Sequence, residues 1–244
     1  MPYVLNTSDD QRAMLAAIGA ESIEELFSTV PEEMRLQRPL QLPLAMGELE
    51  LSQYMSTLAN KNRHPGDMIC FLGAGSYDHF VPAVVDAIAS RGEFYTSYTP
   101  YQPEVSQGNL QAMFEYQTLI CELTGMDVSN ASLYDGGSAV AEAVLMCVSS
   151  TRRFGRVVTV DSVHPEYRQN LETYLENIEI ELVTVASQQG RVSVADIASA
   201  VNDSTACVVI QHPNFFGSLE DVAEVAAMVH AAGALLVVSF DPIS

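Results

Sequence analysis

Lysine is nearly absent from this sequence: of 11 basic residues ten are arginine and one, Lys61, is lysine, set against 31 Asp and Glu. The resulting formal charge of −20 repels phosphate backbones, which excludes nucleic acid as a partner. So few lysines among so many carboxylates also suit a protein kept soluble in high salt by a solvated acidic surface. Long apolar runs are missing too. The longest mostly apolar stretch, 225–240, is broken by His230, Gly233 and Ser239 and is too short to cross a bilayer. The N-terminal residues MPYVLNTSDDQR show neither a basic region nor an apolar one, so no signal peptide is visible and a soluble, cytoplasmic protein is expected. The cysteines Cys70, Cys121, Cys147 and Cys207 form no CxxC pair, which leaves buried, reduced thiols as the expectation. The five histidines have no metal-ligand spacing, so no metal is expected, and no GxSxG elbow marks a serine hydrolase. Disorder is excluded as well, because 48% of the residues are apolar and only 17% are charged.

What is present divides into two parts. Residues 1–65 read as a helical segment: Ser8 caps a helix ending at Gly19, a short second helix carries Ile23, Leu26 and Phe27, and a third runs from Glu48 to Asn60. In that third helix Leu51, Tyr54, Met55 and Leu58 fall on one face. Residues 66–244 read as a larger α/β domain. It opens with a Gly-rich loop, FLGAGSYDH, a helix over 81–89 and a loop over 92–108, and continues with a long helix over 110–124 that stops at Gly125. Strand-like runs then recur at 156–160, 178–185, 206–212 and 234–240, separated by helical runs at 139–149, 165–176, 194–201 and 219–232. Ser193 with Asp196 and Ser218 with Asp221 are capping signals. β-Branched runs alternating with helices specify a parallel sheet covered on both faces. The last residues, SFDPIS, follow a strand directly, so a longer polypeptide, cut inside or just after its sheet, is expected.

Several local motifs have a functional and a plain structural reading. GAGSYDH has only part of the dinucleotide fingerprint, because Asp78 stands at the third glycine position and no long strand-like run precedes it. In YDGGSA, Gly136, Gly137 and Ser138 open a helix whose free N–H groups suit an anion, but Asp135 opposes a phosphate there and a plain loop-to-helix entry is favoured. Asp78–His79 reads as a surface pair, and His212-Pro213-Asn214 as a turn out of the sheet. In GEFYTSYTPYQPEVSQG, Tyr95, Tyr98 and Tyr101 recur every third residue among polar side chains. That pattern suits a cleft or subunit interface as well as it suits a pinned surface loop.

The stretch from YTPYQPEVSQG through NLQAMFEYQTLICELTGMDVSNASLYDGGSAVAEA resembles the glycine cleavage system P-protein family, most closely subunit 1 of its two-subunit form. FLGAGSYDHFVPAVVDAIASRGEFYTSYTPYQ and QHPNFFGSLEDV agree, and the resemblance covers essentially the whole sequence. It implies a fold-type-I architecture, that of aspartate aminotransferase-like pyridoxal-phosphate enzymes. It also implies an oxidoreductase system that decarboxylates glycine and passes the aminomethyl group to the lipoyl arm of H-protein, with the cofactor ring as electron sink. Such an enzyme holds its cofactor through a lysine amine beyond the strand carrying the pyridine-pairing acid. By position that strand is ALLVVSF and the acid is Asp241, yet Lys61 is the only lysine and stands far upstream.

The resemblance therefore implies the non-catalytic subunit of a heterotetramer with two copies of each chain. Pyridoxal phosphate would be bound mainly by subunit 2, and Gly136, Gly137, Ser138 and Asp241 would be degenerate cofactor positions. It further implies that Tyr98, Tyr101, Gln102, Glu104, Ser106 and Gln107, with Tyr95 adjoining, are lent to the shared interface, to orient glycine or shape the lipoyl tunnel. Two alternatives stay open from sequence: an autonomous pyridoxal-phosphate enzyme with a lysine after residue 244, and a regulatory α/β binding module.

Overall fold

The computed structural model describes residues 5–71 and 73–243 and divides into two compact units, 1–67 and 68–244. The first unit holds helices α1 (Ser8–Ile18) and α2 (Glu48–Ala59), with single 3-10 turns at Glu24–Phe27 and Glu32–Met34 in between. Thr7, rather than Ser8, caps α1: its hydroxyl accepts from the Asp10 amide at 3.2 Å while the Asp10 carboxylate accepts from the Thr7 amide at 2.8 Å. That reciprocal pair needs the acid three residues after the cap, which selects Thr7. The expected helix at Ile23–Phe27 is one 3-10 turn, too short to repay helix nucleation. Gly19 ends α1 in the left-handed conformation, as expected of it.

The second unit begins with α3 (Ala83–Ala89), the one-turn α4 (Gly92–Tyr95) and α5 (Pro103–Thr124). Residues 92–108 are thus not all loop. Pro103 presets the first turn of α5, and the segment becomes helical despite a kink at Ser106 (φ −117°, ψ 19°). None of α1 to α5 buries a side chain, so the apolar faces of Leu51, Met55, Leu119 and Leu123 lie open.

From residue 136 the chain builds a three-layer α/β/α body. Its elements are α6 (Gly136–Thr151), β1 (Arg156–Val160), α7 (Pro165–Leu175), β2 (Glu181–Val185), α8 (Val194–Ala200), β3 (Thr205–His212), α9 (Val222–Ala231) and β4 (Leu235–Phe240). The four strands are all parallel in the order β2-β1-β3-β4. Central β1 and β3 are buried almost end to end, and edge strands β2 and β4 only in part. This is why VVTV and ACVVI are continuous apolar or β-branched runs: both faces of a central parallel strand meet helices. The helices α6 and α7 pack together, as do α8 and α9. Right-handed crossovers send α7 and the α8–α9 pair to opposite faces, because β1→β2 and β2→β3 run in opposite directions across the sheet. The core joins Val144, Val158, Leu171, Ile197, Val208, Ile210 and Val229.

Three local expectations are corrected here. Ile178 and Ile180 precede β2 rather than belonging to it, since Ile178 closes a turn after α7 through its amide to Leu175 O at 3.1 Å. The cap of α9 is Asp221, which accepts from the Glu224 amide at 3.1 Å; Ser218 instead gives its own amide to Asn214 Oδ1 at 3.0 Å. Finally, Cys147 and Cys207 are buried side by side, whereas Cys70 is exposed and Cys121 half-buried. The Ser193 cap on Asp196 forms as expected, at 3.0 Å.

Candidate functional site

Strand order reverses between β1 and β3: from β1 the chain moves outward to β2, and from β3 outward to β4. The loops leaving these two strands diverge and open a crevice at their C-terminal ends, the position where α/β sheets take ligands. A cavity of about 300 Å³ lies there, bounded by His164, Gln211 and Pro213, by Ser239–Pro242 after β4, and by Ala74–Tyr77 and His79 from the Gly-rich loop.

Each wall has a local cause. His164 caps α7, its Nδ1 accepting from the Glu166 amide at 3.2 Å, so its remaining N–H is at Nε2. The same ring stacks on Tyr167, with centroids 4.7 Å apart, and meets the edge of Phe215 at 5.2 Å. Gln211, buried at the end of β3, accepts from the His164 amide at 2.8 Å and ties the two diverging loops together. The Gly-rich loop reaches the sheet through the Ala74 amide, which donates to Phe215 O at 3.0 Å. Its residues 73–75 all have positive φ, and a Cβ on Gly75 would stand only 3.0 Å from Gln211 Nε2. Glycine at 75 is therefore required twice, by conformation and by space. The loop is thereby held close against the C-terminal end of β3.

Opposite His164, the His79 Nε2 lies 3.0 Å from Asp241 Oδ2. The Asp241 carboxyl is held below the usual carboxylate range, first by the Ile243 amide at 2.9 Å and then by His79. The pairing of His79 with an acid 162 positions away, not with its neighbour Asp78, corrects its reading as a surface pair. Asn214, just beyond β3, is fully buried. Its Nδ2 donates to Gly190 O at 2.8 Å and to Glu220 Oε1 at 2.6 Å, and its Oδ1 accepts from the Phe216 and Ser218 amides at 3.0 Å each.

A second hollow, about 610 Å³, lies at the start of α6, lined by Asp135, Gly136, Gly137, Glu166, Tyr167 and neighbours on α7. Here Asp135 is the cap: its Oδ1 accepts from the Ser138 amide at 2.7 Å. This bond, helped by Gly137, holds the Asp135 carboxyl below its ordinary range, so the helix start already carries an anion. A Cβ on Gly136 would collide with the Tyr167 hydroxyl, and one on Gly137 would approach Asn170 Nδ2 to 3.0 Å; the two glycines serve close packing of α6 on α7.

The residues present do not fit the pyridoxal phosphate that the resemblance implies. Its phosphate would have to displace the carboxylate of Asp135, with Glu166 close by, and no Lys or Arg is among the described residues lining either hollow. The acid placed to pair with a pyridine nitrogen, Asp241, is engaged by His79. The single lysine, Lys61, belongs to the first unit. What the crevice offers is a small polar cleft with two imidazoles and a carboxylate.

Of the residues expected at an interface, Tyr95, Tyr98 and Tyr101 are more than 80% exposed, and Gln102, Glu104 and Gln107 are exposed with them. Ser106 is half-buried at the kink of α5. None of the seven lines the crevice. Asp241, by contrast, does line it, and Gly136, Gly137 and Ser138 form the start of α6. His79, His164, Tyr167 and Gln211 were not singled out from sequence as site residues. The signal for His164 and Gln211 was available, since each stands at or just after the C-terminal end of a buried parallel strand.

The family model of the glycine cleavage system P-protein matches residues 1–244. A probable glycine dehydrogenase (decarboxylating) subunit 1 of Carboxydothermus hydrogenoformans is 55% identical over 244 residues, all of this chain and 55% of that protein. The crystal structure of a glycine decarboxylase (P-protein) in inhibitor-bound form superposes with a TM-score of 0.79 at 45% identity, over 100% of this chain and 54% of that one. A sphingosine-1-phosphate lyase of Burkholderia pseudomallei, 13% identical, shares the fold with a TM-score of 0.55 over 86% of this chain and 50% of its own. The chain spans about half the length of the curated relatives it matches. Its fold is that of the type-I pyridoxal-phosphate-dependent enzymes, and with a family model matched along all 244 residues the chain belongs to the glycine cleavage system P-protein family.

Proposed function

We propose that this chain belongs to the subunit of a two-subunit glycine decarboxylase that does not carry the catalytic lysine, working in the cytoplasm as a heterotetramer with two copies of a partner subunit that carries cofactor and lysine. When bound there, pyridoxal phosphate supplies the electron sink that lets glycine lose its carboxylate as CO2. The aminomethyl group then passes to the lipoyl arm of H-protein. The observation that carries this reading is the state of the crevice: a type-I cofactor fold whose acid, Asp241, is paired with His79, whose helix start is capped by Asp135, and which has no lysine.

Two further features support a partner. Ahead of α6, apolar side chains such as Leu44 in the first unit and Phe80 and Phe114 in the second are exposed, at 92%, 91% and 68%; large apolar side chains left open in this way are what association buries. The exposed tyrosines of 95–101 combine an apolar ring with a hydroxyl that can donate or accept, suited to a wet interface. In this reading Tyr98, Tyr101, Gln102, Glu104, Ser106 and Gln107, with Tyr95, contribute from this side to the glycine or lipoyl path of the partner's site.

The test is reconstitution. The full-length chain, alone and with the partner subunit, is incubated with pyridoxal phosphate and reduced with borohydride. A fixed chromophore on the partner only, and glycine-dependent CO2 exchange only in the mixture with H-protein, are expected. A chromophore fixed on this chain in the absence of the partner overturns the assignment.

A further inference from the structure

We propose that the crevice at the C-terminal ends of β1 and β3 is a binding site for a small α-amino acid in its zwitterionic form, with Gln211 and His164 receiving the carboxylate. The inference stands on the lining of that one cavity and not on the subunit reading above.

The cavity is lined by donors that nothing uses. Gln211 is only 5% exposed, and its Oε1 is spent on the His164 amide at 2.8 Å, which fixes the amide plane and leaves Nε2 as the other end. That Nε2 has no hydrogen-bond partner among the described residues. It faces Gly75, where a Cβ would stand 3.0 Å away, so glycine at 75 keeps the amide open to the cavity that both residues line. A buried primary amide with both protons unused is costly unless something accepts from it. The His164 ring is fixed in a similar way. Its Nδ1 accepts from the Glu166 amide at 3.2 Å and its face stacks on Tyr167, while the N–H at Nε2 has no partner among the described residues. Two neutral donors, each held by its other end, therefore share one small space, an arrangement that suits a carboxylate or carbonyl oxygen.

Charge narrows the class of ligand. Asp241 lines the same cavity and is ionised at neutral pH, because the Ile243 amide and His79 hold its carboxyl below the ordinary range. It keeps those partners; what it adds to the cavity is a negative charge. No Lys or Arg lines the cavity among the described residues. A simple anion would therefore meet a carboxylate with no guanidinium or ammonium to offset it, and a simple cation would leave the Gln211 and His164 donors unanswered. A zwitterion meets both demands at zero net charge, its carboxylate taking the two N–H groups and its ammonium attracted by Asp241. The volume of about 300 Å³ lies at the lower end of the range for ligand pockets, which fits an amino acid the size of glycine or alanine and not a nucleotide.

The probe is radiolabelled glycine, in equilibrium dialysis against the full-length chain assembled with its partner, all pyridoxal phosphate first reduced onto its lysine with borohydride so that no glycine adduct can form. Saturable uptake below about 10 mM is expected, with acetate and methylamine, which each carry one half of the zwitterion, competing about tenfold less well. Gln211→Glu keeps the oxygen that ties His164 and turns the donor into an acceptor; it is expected to weaken binding about tenfold. His164→Asn keeps a cap for α7 and removes the ring N–H, and is expected to weaken binding about threefold. The natural chain locates the ligand without any variant: glycine should slow acylation of half-buried His164 by diethyl pyrocarbonate, read by peptide mass spectrometry, and leave exposed His230 on α9 unprotected. Absence of saturable uptake overturns the proposal, as does acetate competing as well as glycine. Uptake that leaves His164 unprotected overturns it too, and so does unchanged affinity in whichever variant still assembles.

Discussion

Asn214 is a single buried amide that organises the ligand end of the sheet. Its Oδ1 takes the Phe216 and Ser218 amides of its own loop at 3.0 Å each, and its Nδ2 donates to Gly190 O, between β2 and α8, at 2.8 Å and to the Glu220 carboxylate at 2.6 Å. Truncation strands several of them in a dry environment. Asn214→Ala is therefore expected to cost about 3 kcal/mol, more than an ordinary hydrogen-bond deletion, as read by urea denaturation. A loss no greater than that of an exposed asparagine would show that water replaces the side chain. Tyr98 stands at the other extreme, with 85% of its surface open in this chain. If its hydroxyl serves the shared site, Tyr98→Phe lowers glycine turnover of the assembled enzyme about tenfold, the worth of one hydrogen bond made in the transition state, with assembly intact. Unchanged kinetics would remove that role. Neither residue's status could be read from composition. Asn214 reads as a turn residue and Tyr98 as one of a periodic trio, because burial is a property of what the rest of the chain places around a residue.

At the scale of elements, α6 gives the clearest electrostatic prediction. Asp135 caps it, and its carboxyl is held below the ordinary 3.8, chiefly by the Ser138 amide. A carboxyl whose folded pKa is lowered contributes stability that is complete above its unfolded pKa and is lost as pH falls through the folded value. The natural chain should therefore exceed Asp135→Asn in urea midpoint by a constant margin down to about pH 5, and the margin should shrink progressively as pH falls below 3.8 and through the lowered folded value. A margin independent of pH would mean that the cap acts through its hydrogen bond alone. The elements themselves were legible where both faces are buried. Strand β1 has the range its sequence run predicts and β3 begins one residue earlier than predicted, because central parallel strands meet helices on both faces and so are continuously apolar. The segment around 92–108 was not legible: its Tyr, Pro and Thr spacing has no helical period, yet Pro103 starts α5 there. The cap of α9 was misread for a similar reason, since Ser218 and Asp221 fit a capping pattern and only the competing demand of Asn214 for the Ser218 amide decides between them.

For the whole molecule, charge is the dominant global quantity. At −20, mutual repulsion among carboxylates opposes compaction and is screened by salt, with a Debye length falling from about 10 Å at 0.1 M to about 3 Å at 1 M. The melting temperature is expected to rise by about 5 °C or more across that range, followed by circular dichroism. A flat or falling curve would remove salt adaptation as the reason for the acidic surface. Sequence alone determined the class of the fold, the parallel sheet and the family, because periodicity, β-branched runs and long motifs are local in the chain. It also determined that Lys61 is the only lysine these residues can offer. Only the tertiary structure decided that His79 meets Asp241, that Gln211 ties His164 to the sheet and that Asp135 fills the helix start. The first two pairings join residues 162 and 47 positions apart. The physical reason is that a crevice at a topological switch point is made where strands diverge in space, so its walls come from loops that no local pattern in the sequence connects.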